Sequence, residues 1–409
     1  MELVSDHYQI SSIDALELVQ RYSTPLYVYR TDTIARQYKR LMDAFAATRL
    51  RVRYACKALS NPNILRFIRG LGAGLDTVSI GEVRLGLQAG FLPSDIVFTP
   101  NSVSIEEIIE ASLLGVMVNI DNISVLEQFG NRYGPEMPVG IRINPHIFAG
   151  AHHQIATGHI DSKFGISIHQ MRHVQRVVES TGLKISGLQM HTGSDILDAE
   201  VFVWAADVLL EQAPLFPNLS YIDFGSGFKV SYHANDTETD VESLGLRLSQ
   251  RFNEFCTAYG RSLELWFEPG KYLVSAAGYL LTRVNVVKTT TATVFAGVDT
   301  GFNHFIRPMF YGAYHRIENV SNPHGNDRIY TVVGNICETD TFAWDRKIKE
   351  IREGDILGFY NVGAYCFEMA SPYNSRPRPA EVMIHDGKDH LIRKRETLED
   401  VMRNVVEVI

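Results

Sequence analysis

From about residue 50 the chain alternates short apolar runs with longer stretches whose apolar residues recur every three or four positions. The runs are RVRYACK (51–57), GLDTVS (74–79), DIVFTPN (95–101), VMVNID (116–121), VGIRINP (139–145), ISGLQMHTG (185–193), LSYIDFGSG (219–227) and LELWFEPG (263–270). They are rich in Val, Ile, Leu and aromatic residues, as strands buried on both faces must be. Stretches such as SIGEVRLGLQAG and SIEEIIEASLLG lie between them and carry the apolar stripe of a helix packed on one side. Eight runs, each followed by helical sequence, predict a (β/α)8 barrel of about 240 residues, close to the usual ~250.

After about residue 275 this rhythm stops. YLLTRVNVVKTTTATVFAGVD, DRIYTVVGN and DILGFYNVG are dominated by β-branched and aromatic residues, with turn residues and no crossover helix between them. They predict a second, mostly β domain over 275–409. TPLYVYR (24–30) is also strand-like and precedes the first helix. The segment 1–30 is therefore assigned to that β domain, and 31–274 to the barrel.

Composition narrows the class. The chain has 409 residues, 45% of them apolar and 21% charged, enough for two domains with real cores. The net charge of −8 is spread along the chain. No basic stripe invites nucleic acid. No window approaches ~18 uninterrupted apolar residues, and the N-terminus lacks the charged start and apolar run of a signal peptide. Four cysteines without a CxxC pair make zinc and a disulfide framework poor readings, so no metal is expected. The expectation is a reduced, cytoplasmic enzyme.

In such barrels chemistry sits at the C-terminal ends of the strands. Here those ends carry Lys57, Asp76, Asn101, Asp121, Asn144, His191, Gly225, Gly227 and Glu268. A single Asn or Asp there is more often a turn residue, but this set is harder to dismiss. A lysine walled by carbon would favour its neutral amine, the form that attacks an aldehyde, although a lone strand-end lysine more often snorkels to solvent. HTGS (191–194) and DFGSGF (223–228) end consecutive strands, where glycine lets backbone N–H groups approach an anion and a following helix offers its positive end. A carboxylate such as Glu268 can keep a pyridine nitrogen protonated.

YACK (54–57), LDTVSIGE (75–82), SKFGI (162–166), MHTGS (190–194), DFGSGF (223–228) and EPG (268–270) resemble the barrel motifs of the fold-type III pyridoxal-phosphate decarboxylases, which include the ornithine, arginine and diaminopimelate decarboxylases. The resemblance continues through VDTGFNHFIRPMFYGAYH (298–315), CETD (337–340), GAY (363–365) and YNSRPRPAEV (373–382). This second set is similar to the diaminopimelate decarboxylase branch in particular.

The resemblance implies pyridoxal 5'-phosphate as cofactor, bound to Lys57 as a Schiff base. It places His191 against the ring, Glu268 on the ring nitrogen, and Asp76, Ser194, Gly225, Gly227, Gly270 and Tyr365 around the cofactor. Arg307 and Tyr311 would grip the carboxylate at the unreactive end of the substrate, Lys271 and Tyr365 would also face substrate, Glu338 would bind the distal ammonium, and Cys337 would sit close to the reacting carbon. The CETD loop would come from a neighbouring subunit, which implies a homodimer with shared active sites. The implied reaction converts meso-2,6-diaminopimelate to L-lysine and CO2, the last step of lysine biosynthesis.

Two positions depart from the family pattern. Lys271 follows EPG where arginine is usual, which keeps charge but loses the planar fork, and Asp195 follows HTGS where glutamine is common. The competing readings are a decarboxylase of carboxynorspermidine, ornithine or another basic amino acid, an amino-acid racemase on a similar plan, and a non-catalytic pyridoxal-phosphate carrier.

Overall fold

The computed structural model describes residues 1–147, 162–233 and 235–408. The chain forms two compact units, Ala35–Val230 with Thr237–Tyr272, and Met1–Ile34 with Ser231–Asp236 and Leu273–Ile409.

Among the described residues the first unit closes a ring of eight parallel strands: β1 (Leu50–Ala55), β2 (Gly74–Thr77), β3 (Ile96–Phe98), β4 (Met117–Ile120), β5 (Val139–Asn144), β6 (Ile185–Gln189), β7 (Tyr221–Asp223) and β8 (Glu264–Phe267). Each pairs with the next, and β8 pairs with β1, so the sheet closes into the barrel that the periodicity predicts. Local chemistry sets where the helices between strands begin. Ser79, Ser104 and Asn122 each accept a backbone N–H of the first turn, and Asn61 does so ahead of a proline at the first helical position.

One detail differs from the expected rhythm. β8 is followed only by the short helix Lys271–Val274. The helix that comes before β1, Thr31–Ala44, packs instead against the helix Val241–Tyr259. Gly245 permits this, because a Cβ there would meet the Ala44 carbonyl oxygen at 2.2 Å. The pattern of apolar positions cannot show which neighbour a helix packs against, only that it has a face to bury.

The floor of the barrel is closed by large side chains matched to glycines. The Tyr221 and Trp266 rings stack at 3.7 Å with 5° between planes, and the Arg53 guanidinium lies 4.3 Å over Trp266. The Tyr221 hydroxyl donates to Asn119 Oδ1 at 2.7 Å, and Asn119 Nδ2 donates to Thr99 at 3.0 Å. A Cβ at Gly187 would lie 2.0 Å from the Tyr221 ring, and one at Gly140 would lie 2.3 Å from its hydroxyl. These side chains are buried, and the opposite, C-terminal rim is left for chemistry.

The second unit is built on the strand Gly278–Thr289, which pairs with Val294–Val298, Ile356–Tyr360 and Leu26–Arg30. Leu26–Arg30 then pairs in parallel with Ala380–His385, so an N-terminal strand lies inside a sheet otherwise made by the C-terminal third. Leu26, Val28, Leu281 and Val382 are fully buried in its core.

Replacing Gly187 by Ala is expected to lower unfolding free energy by about 1–3 kcal/mol, the usual cost of overpacking. Urea denaturation measures it. The cost should shrink in a Tyr221→Leu background, because the two positions share one space.

Candidate active site

The rim at the C-terminal ends of the barrel strands collects the residues singled out above. β1 ends at Ala55 and runs into a single turn, Cys56–Ala58, that carries Lys57. Lys57 Nζ lies 2.7 Å from Asp76 Oδ2 at the end of β2. Asp76 is buried, while the Lys57 side chain is 41% exposed. The expectation of a lysine walled by carbon is thus corrected: it reaches the rim but sits on a buried carboxylate, because inward-facing positions of adjacent strands bring residues 57 and 76 together.

Below this pair lies a layer of buried acceptors. Gln189 Nε2 donates to Glu268 Oε2 at 2.9 Å, and the Gly225 N–H donates to Asp223 Oδ1 at 2.8 Å. Burial pushes Asp223 up to about 7. Burial, and then the charges of Asp223 and Asp76, push Glu268 well above the ordinary carboxyl range. Among the described residues no donor reaches Asp76 Oδ1, Gln189 Oε1, Asp223 Oδ2 or Glu268 Oε1. Arg142 is buried beside this layer, its guanidinium 4.7 Å over the Phe164 ring, and the charges of Glu268, Asp121, Asp76 and Asp223 favour its cationic form against the cost of burial.

His191 follows β6. Its Nδ1 accepts the Ser226 N–H at 3.3 Å, and burial with the Arg142 and Lys57 charges lowers it to about 3. The imidazole is therefore neutral at physiological pH and carries its proton on Nε2. Gly225 has φ of +65° and Gly227 of +127°. A Cβ on Gly225 would meet the Met190 carbonyl at 2.5 Å, and one on Gly227 the Gly193 carbonyl at 2.5 Å. The expected helix N-termini do not follow these loops directly. The next helices start only at Ala199 and Val241, so any anion here would meet backbone N–H groups of the loops and the Ser194 hydroxyl. Gly270 is buried in the EPG turn, which the Ala55 N–H pins by donating to the Pro269 carbonyl at 3.2 Å. Next to it, Lys271 Nζ pairs with Asp195 Oδ1 at 2.5 Å.

The remaining candidates belong to the second unit. Arg307 opens the helix Arg307–Tyr311, donates to the Tyr232 hydroxyl at 3.4 Å, and lies within 6 Å of the Tyr232 and Tyr311 rings. Burial, and then the Arg307 charge, hold His315 down at about 3. Cys337 is exposed. Its N–H donates to Asn374 Oδ1 at 3.0 Å, Asn374 Nδ2 donates to its sulfur at 3.2 Å, and the Tyr373 hydroxyl lies 3.6 Å from the sulfur. The Tyr373 and Asn374 contacts lower the thiol below its usual value. Tyr373 also donates to Glu338 Oε1 at 3.0 Å. Tyr365 is half-buried, with φ of +59°.

Arg142, Gln189, Asp223, Tyr232 and Tyr373 were not singled out by sequence reasoning. For the first three a signal existed. In VGIRINP, ISGLQMHTG and LSYIDFGSG a period of two puts Arg142 with Asn144, Gln189 with His191, and Asp223 with Gly225 on one face, and a polar residue within an apolar strand marks that face as lining something other than core.

Residues 31–275 match the family model for the pyridoxal binding domain of pyridoxal-dependent decarboxylases. The chain belongs to the pyridoxal-dependent decarboxylases. A diaminopimelate decarboxylase of Methanothermobacter thermautotrophicus is 39% identical over 407 residues, covering 97% of this chain and 95% of that one. One of Bacillus subtilis is 34% identical over 416 residues, covering 97% and 94%. The crystal structure of diaminopimelate decarboxylase from Helicobacter pylori complexed with L-lysine has a TM-score of 0.87 at 33% identity, over 95% of this chain and 98% of that one. The M. jannaschii diaminopimelate decarboxylase structure gives 0.90 at 30% identity, over 100% and 98%. A lysine/ornithine decarboxylase from Vibrio vulnificus shares the fold at 21% identity.

The barrel rim suits the cofactor of this decarboxylase family. It offers a primary amine at Lys57, buried acceptors that want a cationic N–H, a neutral imidazole, and glycine loops whose backbone nothing larger could replace.

A pH dependence follows from the acceptor layer. Asp223 is raised from 3.8 to about 7, so its contribution to stability is complete below pH 3.8 and is lost as pH rises toward 7. In cofactor-free protein, Asp223→Asn is expected to flatten the fall of Tm between about pH 4 and 7. Thermal unfolding across that range checks it, and an unchanged slope would refute the raised Asp223 carboxyl.

Proposed function

We propose that this chain catalyses the pyridoxal-phosphate-dependent decarboxylation of meso-2,6-diaminopimelate to L-lysine and CO2, and that it works as a cytoplasmic homodimer with shared active sites. The observation that carries the chemistry is the lysine set on a buried carboxylate above an acceptor layer short of donors. The full-length likeness to diaminopimelate decarboxylases carries the substrate.

When bound, the cofactor supplies an electron sink for the electrons left by the departing carboxylate. The rest is the work of side chains. Lys57 would hold the cofactor covalently, and Asp76 would take up the charge of its ammonium when it is free. Glu268, oriented by Gln189, would keep a proton on the ring nitrogen. The depressed His191 stays neutral and would face the ring without competing for that proton. Ser194 and the loops at Gly225, Gly227 and Gly270 hold the phosphate through N–H and hydroxyl donors, and Tyr365 reaches the same group.

Diaminopimelate has two amino-acid ends, so the unreactive end needs a cation and an anion. Arg307 with Tyr311 meets its carboxylate, and Glu338 its ammonium. A substrate lacking that carboxylate leaves a desolvated guanidinium without its anion, which disfavours it. Cys337, with its thiol lowered by Tyr373 and Asn374, or a water that it positions, would return a proton to the α-carbon. It and Glu338 reach the active site of the neighbouring subunit.

Purified protein supplied with pyridoxal phosphate and meso-diaminopimelate should release CO2 and L-lysine in equal amounts. Lys57→Ala should reduce turnover by roughly three orders of magnitude or more, as loss of a covalent catalytic group does. Racemisation without CO2 would overturn the reading.

A further inference from the structure

Lys271 and Asp195 meet in the barrel mouth. Their side chains are 10% and 20% exposed, and Lys271 Nζ sits 2.5 Å from Asp195 Oδ1. The pair spans from the loop after β6 to the turn after β8, across the glycine loop of β7. It is not needed to tie those loops together. The Ile196 N–H donates to the Gly227 carbonyl at 2.8 Å, the Thr239 hydroxyl donates to the Ile196 carbonyl at 2.7 Å, and the Glu268 N–H donates to the Gly225 carbonyl at 2.6 Å. The backbone on both sides of the pair is already pinned. Asp195 has φ of +61°, a conformation that Asp and Asn accept and most residues resist. An ion pair so nearly buried costs desolvation and is weak evidence for stability. Its more direct consequence is on charge: a lysine beside the donor-rich loops of the mouth is presented to ligands already neutralised.

We propose that Asp195 is a specificity-determining residue that stands in for a ligand anion on Lys271, so that an anionic group entering the mouth must take Lys271 over from it. This rests on the reading of the rim as the decarboxylase site. In formal charge the pair is neutral in the wild type, positive in Asp195→Asn, negative in Lys271→Met, and neutral again in the double variant. Anion affinity should follow that order: tightest in Asp195→Asn, equal in wild type and double variant, weakest in Lys271→Met. A structural strap would instead make both single variants worse.

The test measures kcat and KM for diaminopimelate in the four holoenzymes, with Tm for each, and the dissociation constant of inorganic phosphate for the four proteins freed of cofactor. Asp195→Asn should lower the KM, or the phosphate constant, by about three- to tenfold, and Lys271→Met should raise the same quantity by a similar factor, as for a close charge pair partly shielded from water. Kcat should move less than KM, and the gain should shrink in high salt. A change confined to KM identifies the ligand anion as the substrate carboxylate. A change in the phosphate constant identifies it as the phosphate group. Should Asp195→Asn prove too unstable to measure, Asp195→Gln makes the same change of charge. Equal losses in both single variants, or no change in either quantity, would overturn the proposal. Absence of diaminopimelate turnover in the wild type would sink the functional reading instead, and the phosphate series would still decide the role of Asp195.

Discussion

Everything at the barrel rim depends on the cost of burying Asp76, Asp223 and Glu268 together. Three carboxyl groups taken out of water repel one another and lose hydration. The structure meets that cost with Lys57 on Asp76, Arg142 alongside, Gln189 on Glu268 and the Gly225 N–H on Asp223, while burial raises Asp223 and Glu268 toward their neutral forms. Among the described residues acceptors remain over, and they suit a ligand that brings a cationic N–H. The same layer holds His191 neutral, since Arg142 and Lys57 stand close to it.

That layer rests on a closely packed floor. Tyr221 fills the space that Gly140 and Gly187 leave, Trp266 stacks on it with Arg53 over the far ring, and Asn119, held by Thr99, satisfies the Tyr221 hydroxyl. Water that entered from below would screen the carboxyls and weaken their hold on a cation. Small residues at the floor and small residues at the rim thus serve different ends. Gly187 makes room for a ring, whereas Gly225 and Gly227 expose backbone.

The second unit carries a chemically separate kit: a guanidinium set among tyrosine rings at Arg307, and an exposed thiol and carboxylate joined through Tyr373 and Asn374. Neither group has partners of its own sequence neighbourhood alone. Tyr232 reaches Arg307 from far earlier in the chain, and Tyr373 reaches Glu338 from the loop that follows GAY.

Periodicity in the chain by itself determined the eight strands, the barrel and the change to β structure near residue 275, because alternation of apolar positions reports burial directly. Motifs at strand ends determined the family and put Lys57, His191, Glu268 and the glycines at one rim, since a barrel delivers all its strand ends to the same face. Only the tertiary structure decided which charges are neighbours. It set Lys57 on Asp76 rather than against carbon, gave the helix Thr31–Ala44 the place after Val241–Tyr259, and joined Lys271 to Asp195. Pairing of charge is a distance between residues remote in the chain, and no local pattern encodes a distance.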